Sequence, residues 1–388
     1  MDLQGASVFV TGGTGLVGGR LIEVLCEQFN AKVKVLLRSS GAGAGAFRTA
    51  CFDVEYVEAS IHDETKLRDV LKDVDYVFHC AYGAYGSKQE QRKVTVNGTS
   101  TLVTAAAKSG VKRFVNLSSL VVFGDEAPKI TDETFVPVKP WRWNYPVDKW
   151  DAEQAVVAQH GANGLHTTNV RLGAVYGPWG PAFTIGPIMT LATNRIALAA
   201  KGTGVSSMTY IDDAVQGILL AAMRTSSTQE TYIVAGADRV TWREFYAAYE
   251  AMTGRFGIVE MTADEIRKAR RTRVVAGLRA VIPASIKALK DSKEFRRASA
   301  DLPLVRTTYA KLLSRKPSVR SRRSSYNVVS TAPPFPIILP PKEMIPYLSS
   351  QTEYSIRKAE MELGYKPQFD LRAGMALTEK WARWARLI

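Results

Sequence analysis

The sequence predicts an α/β fold: a doubly wound parallel sheet with a smaller C-terminal lobe. Three observations carry that expectation. An early β-branched and aromatic run, Val8-Phe9-Val10-Thr11, stops at glycines spaced G-x-x-G-x-x-G (Gly12, Gly15, Gly18), and an apolar-periodic stretch follows from Leu21-Ile22. Strand-like and helix-like segments then alternate through the first half of the chain. A buried-looking strand, Arg113 to Ser119, closes on two hydroxyls, Ser118-Ser119. Such alternation specifies βαβ units, whose parallel strands need helices on both faces of the sheet.

The glycine stretch reads as strand, tight turn, helix. Glycine permits positive φ and lets backbone N–H groups approach a pyrophosphate, while the helix N-terminus adds partial positive charge. This is a Rossmann-type dinucleotide turn, with Thr11, Gly12, Gly15, Leu16, Val17 and Gly18 as candidate cofactor contacts. The helix from Leu21 to Phe29 leads to a strand, Lys32 to Leu37, that ends at Arg38. NAD-preferring proteins place an acid at this strand end for the ribose hydroxyls; a guanidinium there suits the 2′-phosphate of NADP. NADP is therefore favoured, with NAD as the alternative and a solvated loop charge as the bland reading of Arg38. A Gly-Ala loop at 41–46 follows, then a strand from Val54 to Ala59, a helix from Glu64 to Leu71 and a strand from Asp75 to Ala81. The next helix, about Val96 to Ser109, feeds the Ser118-Ser119 strand, whose carboxyl end is where open α/β sheets bind ligands.

Tyr145 and Lys149 stand four residues apart, which puts a phenol and an ammonium on one face of a helix. Together with Ser119 they make a proton-transfer site. A phenol with its ordinary pKa of about 10 is a poor acid–base group at neutral pH, and a close cation lowers it.

Five ordered motifs now carry a family resemblance: Thr11 to Gly18, Ser118-Ser119 before Phe123-Gly124, Tyr145 with Lys149, Arg171-Leu172-Gly173-Ala174-Val175-Tyr176-Gly177-Pro178, and Tyr210-Ile211-Asp212-Asp213-Ala214-Val215. The chain resembles the extended short-chain dehydrogenases/reductases, the NAD-dependent epimerase/dehydratase family, from about Val8 to Met223 and again near Tyr354 to Trp381. The resemblance implies a nicotinamide cofactor on the glycine turn, with Tyr145 as acid/base. Lys149 would hold the nicotinamide ribose and lower the tyrosine pKa, and Ser119 would bond the reacting oxygen. It places further cofactor contacts at Ser60, Ile61, Cys80, Ala81, Thr95 and Leu172. It also implies a homodimer through a helical face.

Departures from the family pattern are informative. The adenine-contacting acid after the third strand falls at Ser60, and the asparagine of the N-V-x-G-T helix is replaced by Thr95. Leu120-Val121 follows the catalytic hydroxyl where 4,6-dehydratases carry an Asp-Glu pair, which disfavours elimination chemistry. Ala174 and Ser206-Ser207-Met208 occupy positions where nucleotide-sugar enzymes place Asn and Arg for a diphosphate.

The expected organisation is a Rossmann core over 1–177, the start of a substrate lobe at 178–208, a return to the core at 209–240, and the rest of the substrate lobe over 241–388. A basic insertion lies at about 264–326. Between 266 and 323 stand eighteen Lys or Arg and three acids (Asp291, Glu294, Asp301), while the whole chain carries +14, so the remainder is close to neutral. The stretches 274–282 and 302–313 mix aliphatic with basic residues, as a surface-seeking element would. Two readings stand: peripheral contact with an anionic membrane or a hydrophobic substrate, and a basic insertion with solvated charges. Few aromatics interleave the basic residues, which disfavours nucleic acid. Pro333 to Pro341 reads as an extended segment bracing the pocket, Thr241 to Glu244 as a capping box, and Lys380 to Ile388 as an amphipathic helix packed on the body.

Cys26, Cys51 and Cys80 form no C-x-x-C pair, and His62, His79, His160 and His166 stand singly, so neither a disulfide framework nor a metal site is indicated. No apolar run reaches the roughly 20 residues that span a bilayer, and Met1 to Gln4 leads directly into the first strand, so a cytoplasmic protein, peripheral to membrane at most, is expected. The functional expectation is an NAD(P)-dependent oxidoreductase performing reversible hydride transfer at a ketone or alcohol of a hydrophobic small molecule, similar in type to 3β-hydroxysteroid dehydrogenases and dihydroflavonol reductases. A nucleotide-sugar 4-epimerase or reductase is the nearest rival; a non-catalytic NADP-binding protein on an anionic surface is the second, and an intact Ser119, Tyr145 and Lys149 set argues against it.

Overall fold

The computed structural model describes residues 2–38, 47–137, 143–224, 228–272 and 336–388. The loop at 41–46, the stretches 274–282 and 302–313, and residues 333–335 lie outside the described residues. The chain divides into one unit of Met1–Thr262 with Ile337–Ile388 and a second of Ala263–Pro336, of which residues 263–272 are helical.

Seven strands build the central sheet of the first unit: β1 (Ser7–Thr11), β2 (Lys32–Leu37), β3 (Val54–Glu58), β4 (Tyr76–His79), β5 (Arg113–Ser119), β6 (His166–Leu172) and β7 (Glu230–Val234). Every neighbouring pair is parallel, in the spatial order β7-β6-β5-β4-β1-β2-β3. Strand order reverses between β1 and β4, where Thr11 lies opposite His79. Crossovers leave on opposite faces at such a reversal and open a crevice at the strand ends.

The two faces are read by alternate side chains. Val8 and Val10 pack with Leu21, Ile22 and Leu25 of α1 (Leu16–Phe29), while Phe9 turns to the other face with Val77 and Phe114. That second layer is closed by Leu67 of α2 (Glu64–Val70) and by Leu102, Val103 and Ala106 of α3 (Gly98–Lys108). Val156 of α4 (Asn144–Val157) joins it. Burying one such Leu or Phe contributes roughly 1.5–3 kcal/mol, so period-two strands between periodic helices specify this sandwich.

The helix expected from Val96 begins differently. A short helix, Lys88–Arg92, is opened by a Ser87/Glu90 capping box, and a π-helical turn, Lys93–Asn97, precedes α3. The S-x-x-E signal was present in the sequence; the π turn left no such mark.

Between β6 and β7 the chain forms α5 (Gly186–Thr193) and α6 (Ile211–Met223), and after β7 comes α7 (Trp242–Thr253), which starts on the expected Thr241/Glu244 capping box and stops at Gly254, φ +66°. Arg195–Leu198 pairs in parallel with both Ile258–Glu260 and Ile337–Ile338, which ties the chain after the basic segment back onto this layer. The last helix, α8 (Leu371–Trp384), starts well before Lys380 because the Asp370 carboxylate accepts the Ala373 N–H at 2.6 Å. Trp381 packs 5.5 Å from the Trp179 ring, and Trp384 is 71% exposed. Among the described residues no helix is long and apolar enough to cross a membrane.

Candidate active site

The glycine turn sits at the C-terminal end of β1, on the crevice. Gly12 has φ +70°, and a Cβ there would lie 2.7 Å from the backbone of Cys80 and Ala81 at the end of β4. At Gly18 a Cβ would lie 2.4 Å from the Gly12 carbonyl oxygen. No side chain caps α1, whose N-cap is Gly15, and Leu16 and Val17 open its first turn. The result is a backbone cradle at a helix N-terminus with room only for hydrogen at Gly12 and Gly18, which fits a pyrophosphate.

His79 braces this cradle. Its Nδ1 lies 2.7 Å from Thr11 Oγ1 and its Nε2 2.8 Å from Thr99 Oγ1. Because the Thr99 hydroxyl donates to the Thr95 carbonyl at 2.5 Å, Nε2 must donate to Thr99 and Nδ1 accept from Thr11. Thr11 Oγ1 then takes the Ala81 N–H at 3.3 Å. Burial pushes the His79 pKa down to about 3, so the ring stays neutral and holds that tautomer.

The other expected cofactor residues line the same edge. Thr95 is buried in the π turn and accepts the Gly83 N–H at 2.9 Å, fixing the loop that leaves β4. Ser60 Oγ accepts the His62 N–H at 3.2 Å, and Ile61 packs against Gly98, where a Cβ would lie 2.8 Å away. Burial raises the Cys80 thiol to about 12, leaving it a neutral packing group. Arg38 is exposed, its guanidinium 6.0 Å from the Tyr85 ring centroid. Leu172 ends β6 in register with Ser119.

Ser119 and Tyr145 come together. Ser119 ends β5, accepts the Val121 N–H at 3.4 Å and hydrogen-bonds the Tyr145 phenol. Tyr145 and Pro146 lie in the first turn of α4, where the missing proline N–H breaks no helical bond. One turn on, the Lys149 ammonium donates to the Leu117 carbonyl at 2.8 Å and lies 5.5 Å from the Tyr82 ring centroid. This differs from the expectation that Lys149 lowers the tyrosine. Burial holds the Tyr145 phenol well above its ordinary value, and the hydrogen bond that draws it down comes from Ser119. Lys149 points to the backbone of β5, and burial lowers its own pKa to about 8.

Helix α4 is anchored on two sides. Arg92 donates to Asp148 and to Asp151, each at 2.8 Å. On the sheet side Arg171 of β6 makes a bidentate pair with Glu153 at 3.1 and 2.8 Å, both side chains buried, with Phe123 4.6 Å under the guanidinium. A rigid helix is what an acid–base pair one turn apart needs, since misplacement of the proton donor costs rate steeply.

A depressed Lys149 makes a testable pH dependence. The ammonium is charged below about pH 8 and neutral above it, so a reaction that needs the charge loses rate as pH rises through that value. Steady-state kcat/KM between pH 6 and 10 should show an alkaline limb near pH 8. Lys149→Arg, which stays charged throughout, should remove that limb from whatever activity it retains.

Aromatic residues that the motifs did not single out surround the phenol. Tyr82 meets Tyr145 edge-on at 5.6 Å, Trp143 lies at 5.9 Å, and Tyr347 lies 6.5 Å beyond Trp143. Tyr82 and Trp143 were findable, since each lies within two residues of an expected site residue; Tyr347 is two hundred residues away from the motif and carried no signal. Among the described residues no group of three or more His, Cys, Asp or Glu is placed to hold a metal ion.

The NAD dependent epimerase/dehydratase family matches residues 8–235. A ketoreductase of Stigmatella aurantiaca, named for 4-hydroxy-2-methyl-3-oxo-4-farnesyl-3,4-dihydroquinoline-1-oxide, is 28% identical over 233 residues, 59% of this chain and 68% of that protein. A 3beta-hydroxysteroid-dehydrogenase/decarboxylase of Arabidopsis thaliana is 23% identical over 61% of this chain but only 46% of its own length. The fold is shared with a UDP-glucose 4-epimerase of Thermotoga maritima, solved with UDP-glucose, at TM-score 0.67 and 20% identity over 98% of this chain and 99% of that one. The chain belongs to the NAD dependent epimerase/dehydratase family, the extended short-chain dehydrogenases/reductases, and is an NAD(P)-dependent oxidoreductase or epimerase of that kind.

Proposed function

We propose that the protein catalyses reversible hydride transfer between NADP(H) and a ketone or secondary alcohol on a hydrophobic small molecule. The observation that carries the reading is the convergence of Ser119, Tyr145 and Lys149 beside the glycine cradle, inside a wall of Tyr82, Trp143 and Tyr347.

The dinucleotide is held by Thr11, Gly12, Gly15, Leu16, Val17 and Gly18 at the pyrophosphate, with Ser60, Ile61, Cys80, Ala81, Thr95 and Leu172 along its length. Bound there, it supplies or takes up the hydride at its nicotinamide ring. In the reducing direction Ser119 and Tyr145 donate hydrogen bonds to the carbonyl oxygen. As the carbonyl carbon gains hydride, its π pair moves onto that oxygen, and Tyr145 delivers the proton. Lys149, held by the Leu117 carbonyl one helical turn on, is assigned to the nicotinamide ribose. Oxidation of the alcohol runs the same steps backwards.

Hydrophobic substrate is favoured over a nucleotide sugar by what fills the expected diphosphate positions. Ala174 is buried, and Ser206 spends its hydroxyl on the Val240 carbonyl at 2.8 Å. The farnesyl-bearing compound in the name of the Stigmatella relative is of the same apolar class. Substrate-dependent oxidation of NADPH by ketones supports this reading. Inversion at C4 of a UDP-sugar, with tightly held cofactor and no net redox change, would replace it with the epimerase.

NADP rather than NAD rests on Arg38, which is assigned to the 2′-phosphate. A charge-assisted hydrogen bond contributes roughly 1.5–3 kcal/mol. Arg38→Glu should therefore lower kcat/KM for NADPH by about tenfold or more while sparing NADH. An unchanged NADPH/NADH ratio makes Arg38 a solvated loop charge. Contact of the basic segment with an anionic membrane, and a homodimer, are separate proposals.

A further inference from the structure

Three side chains of α4 stand one helical turn apart on a single stripe: Tyr145, Lys149 and Glu153. The sheet engages each of them. Tyr145 bonds Ser119 at the end of β5, Lys149 donates to the Leu117 carbonyl at 2.8 Å, and the Glu153 oxygens accept from Arg171 of β6 at 3.1 and 2.8 Å. Arg171 packs on two rings, its guanidinium carbon 4.6 Å from the Phe123 centroid and 5.7 Å from that of Trp150. Glu153 is therefore held in one place, and that place is one turn from the ammonium.

A buried ion pair is a poor source of stability, because desolvation offsets the attraction and an apolar pair of similar volume often does as well or better. What an apolar pair lacks is charge. Lys149 needs it, since burial draws its pKa down to about 8. The groups around the ammonium are His79 and Cys80 at the end of β4, Tyr82 beyond them, and Tyr145 and Glu153 on α4 itself. Burial keeps His79, Cys80, Tyr82 and Tyr145 neutral near pH 7. Asp148 and Asp151 turn to Arg92, each at 2.8 Å. Of these groups the Glu153 carboxylate is the negative charge that favours the protonated amine, and the Arg171 guanidinium in contact with it partly offsets that pull.

We propose that Glu153 is a positioning residue for Lys149: clamped by Arg171, its carboxylate keeps the buried amine in the ammonium form, with two N–H donors left beyond the one given to Leu117. The proposal rests on the hydride-transfer reading for the use made of the ammonium, not for its charge. Arg171 then has two effects, fixing the carboxylate and limiting how strongly it acts.

Two readouts separate the charge from the chemistry. Competitive labelling with acetic anhydride from pH 6 to 10, resolved by peptide mass spectrometry, follows the neutral amine of Lys149 without turnover. The alkaline limb of kcat/KM for ketone-dependent NADPH oxidation follows it in catalysis. Glu153→Gln removes the negative charge and leaves Arg171, so both midpoints should fall by about one pH unit or more. Arg171→Met leaves the carboxylate facing Lys149, so both should rise. Each single variant strands a buried charge, whereas Glu153→Met combined with Arg171→Met strands none and should fold; its midpoint should still lie below the native one, because the nearer charge is gone. A midpoint that stays put in the folded variants, or moves the other way, makes the pair a structural anchor and overturns the proposal. A limb that stays put while the labelling midpoint moves overturns it as well. Shifted labelling without turnover of any ketone leaves the positioning role standing and defeats the hydride-transfer reading instead.

Discussion

Tyr145→Phe should lower ketone-dependent NADPH oxidation by about 10²–10⁴-fold, the range for loss of a positioned acid–base group, and leave cofactor affinity within a factor of two or so. The phenylalanine ring keeps its contacts with Tyr82 and Trp143, and only the hydroxyl bonded to Ser119 is lost. One neutral hydrogen bond contributes roughly 0.5–1.5 kcal/mol to stability, so the variant should remain folded and its melting temperature nearly unchanged. Stopped-flow measurement at saturating NADPH reads the chemical step, and quenching of intrinsic fluorescence reads binding. Retained turnover removes Tyr145 from the catalytic role and with it the reductase reading, whereas loss of binding as well makes the residue structural. Ser119→Ala should give the smaller part of the same loss, because it removes one of two donors to the reacting oxygen.

The parts legible in the sequence are those whose physics is local. The glycine turn, the alternation of the first five sheet strands with helices, and the Tyr145/Lys149 spacing each follow from a periodicity or a conformational need that neighbouring residues express. His79 is an intermediate case. A lone histidine in a strand reads as structural, but that it clamps Thr11 to Thr99 depends on strands β1 and β4 pairing across the reversal point. The direction of Lys149 was not legible at all: one face of a helix puts it near Tyr145, yet the Leu117 carbonyl from β5 captures it. The wall around the phenol shows the same limit, since Tyr347 enters from a segment distant in sequence and only tertiary packing sets it beside Trp143. Long-range assembly, and the side chains that it happens to bring to a preformed crevice, is what local pattern cannot carry.

Gly18→Ala should abolish measurable dinucleotide binding at concentrations that saturate the native protein, with an affinity loss of about 100-fold or more. The added Cβ would sit 2.4 Å from the Gly12 carbonyl oxygen and 2.8 Å from its carbon, backbone atoms that cannot swing aside as a side-chain tip can. Helix α1 must therefore move away from the turn, and its first N–H groups move with it. Each charge-assisted bond to a phosphate oxygen contributes roughly 1.5–3 kcal/mol, so two misplaced donors account for at least the stated loss. Overpacking of this kind costs about 1–3 kcal/mol of stability, small enough for the variant to be purified and titrated. Gly15→Ala is the graded comparison. Its Cβ would meet the same oxygen at 3.2 Å, a contact relieved by a few tenths of an ångström, and Gly15 carries no positive φ. Calorimetric titration with NADP+ and with NAD+ should rank native first, Gly15→Ala next and Gly18→Ala last for both dinucleotides, because the cradle holds the pyrophosphate common to the two. If Gly18→Ala binds either one normally, the pyrophosphate does not lie on this turn, and the hydride could not be delivered beside Tyr145.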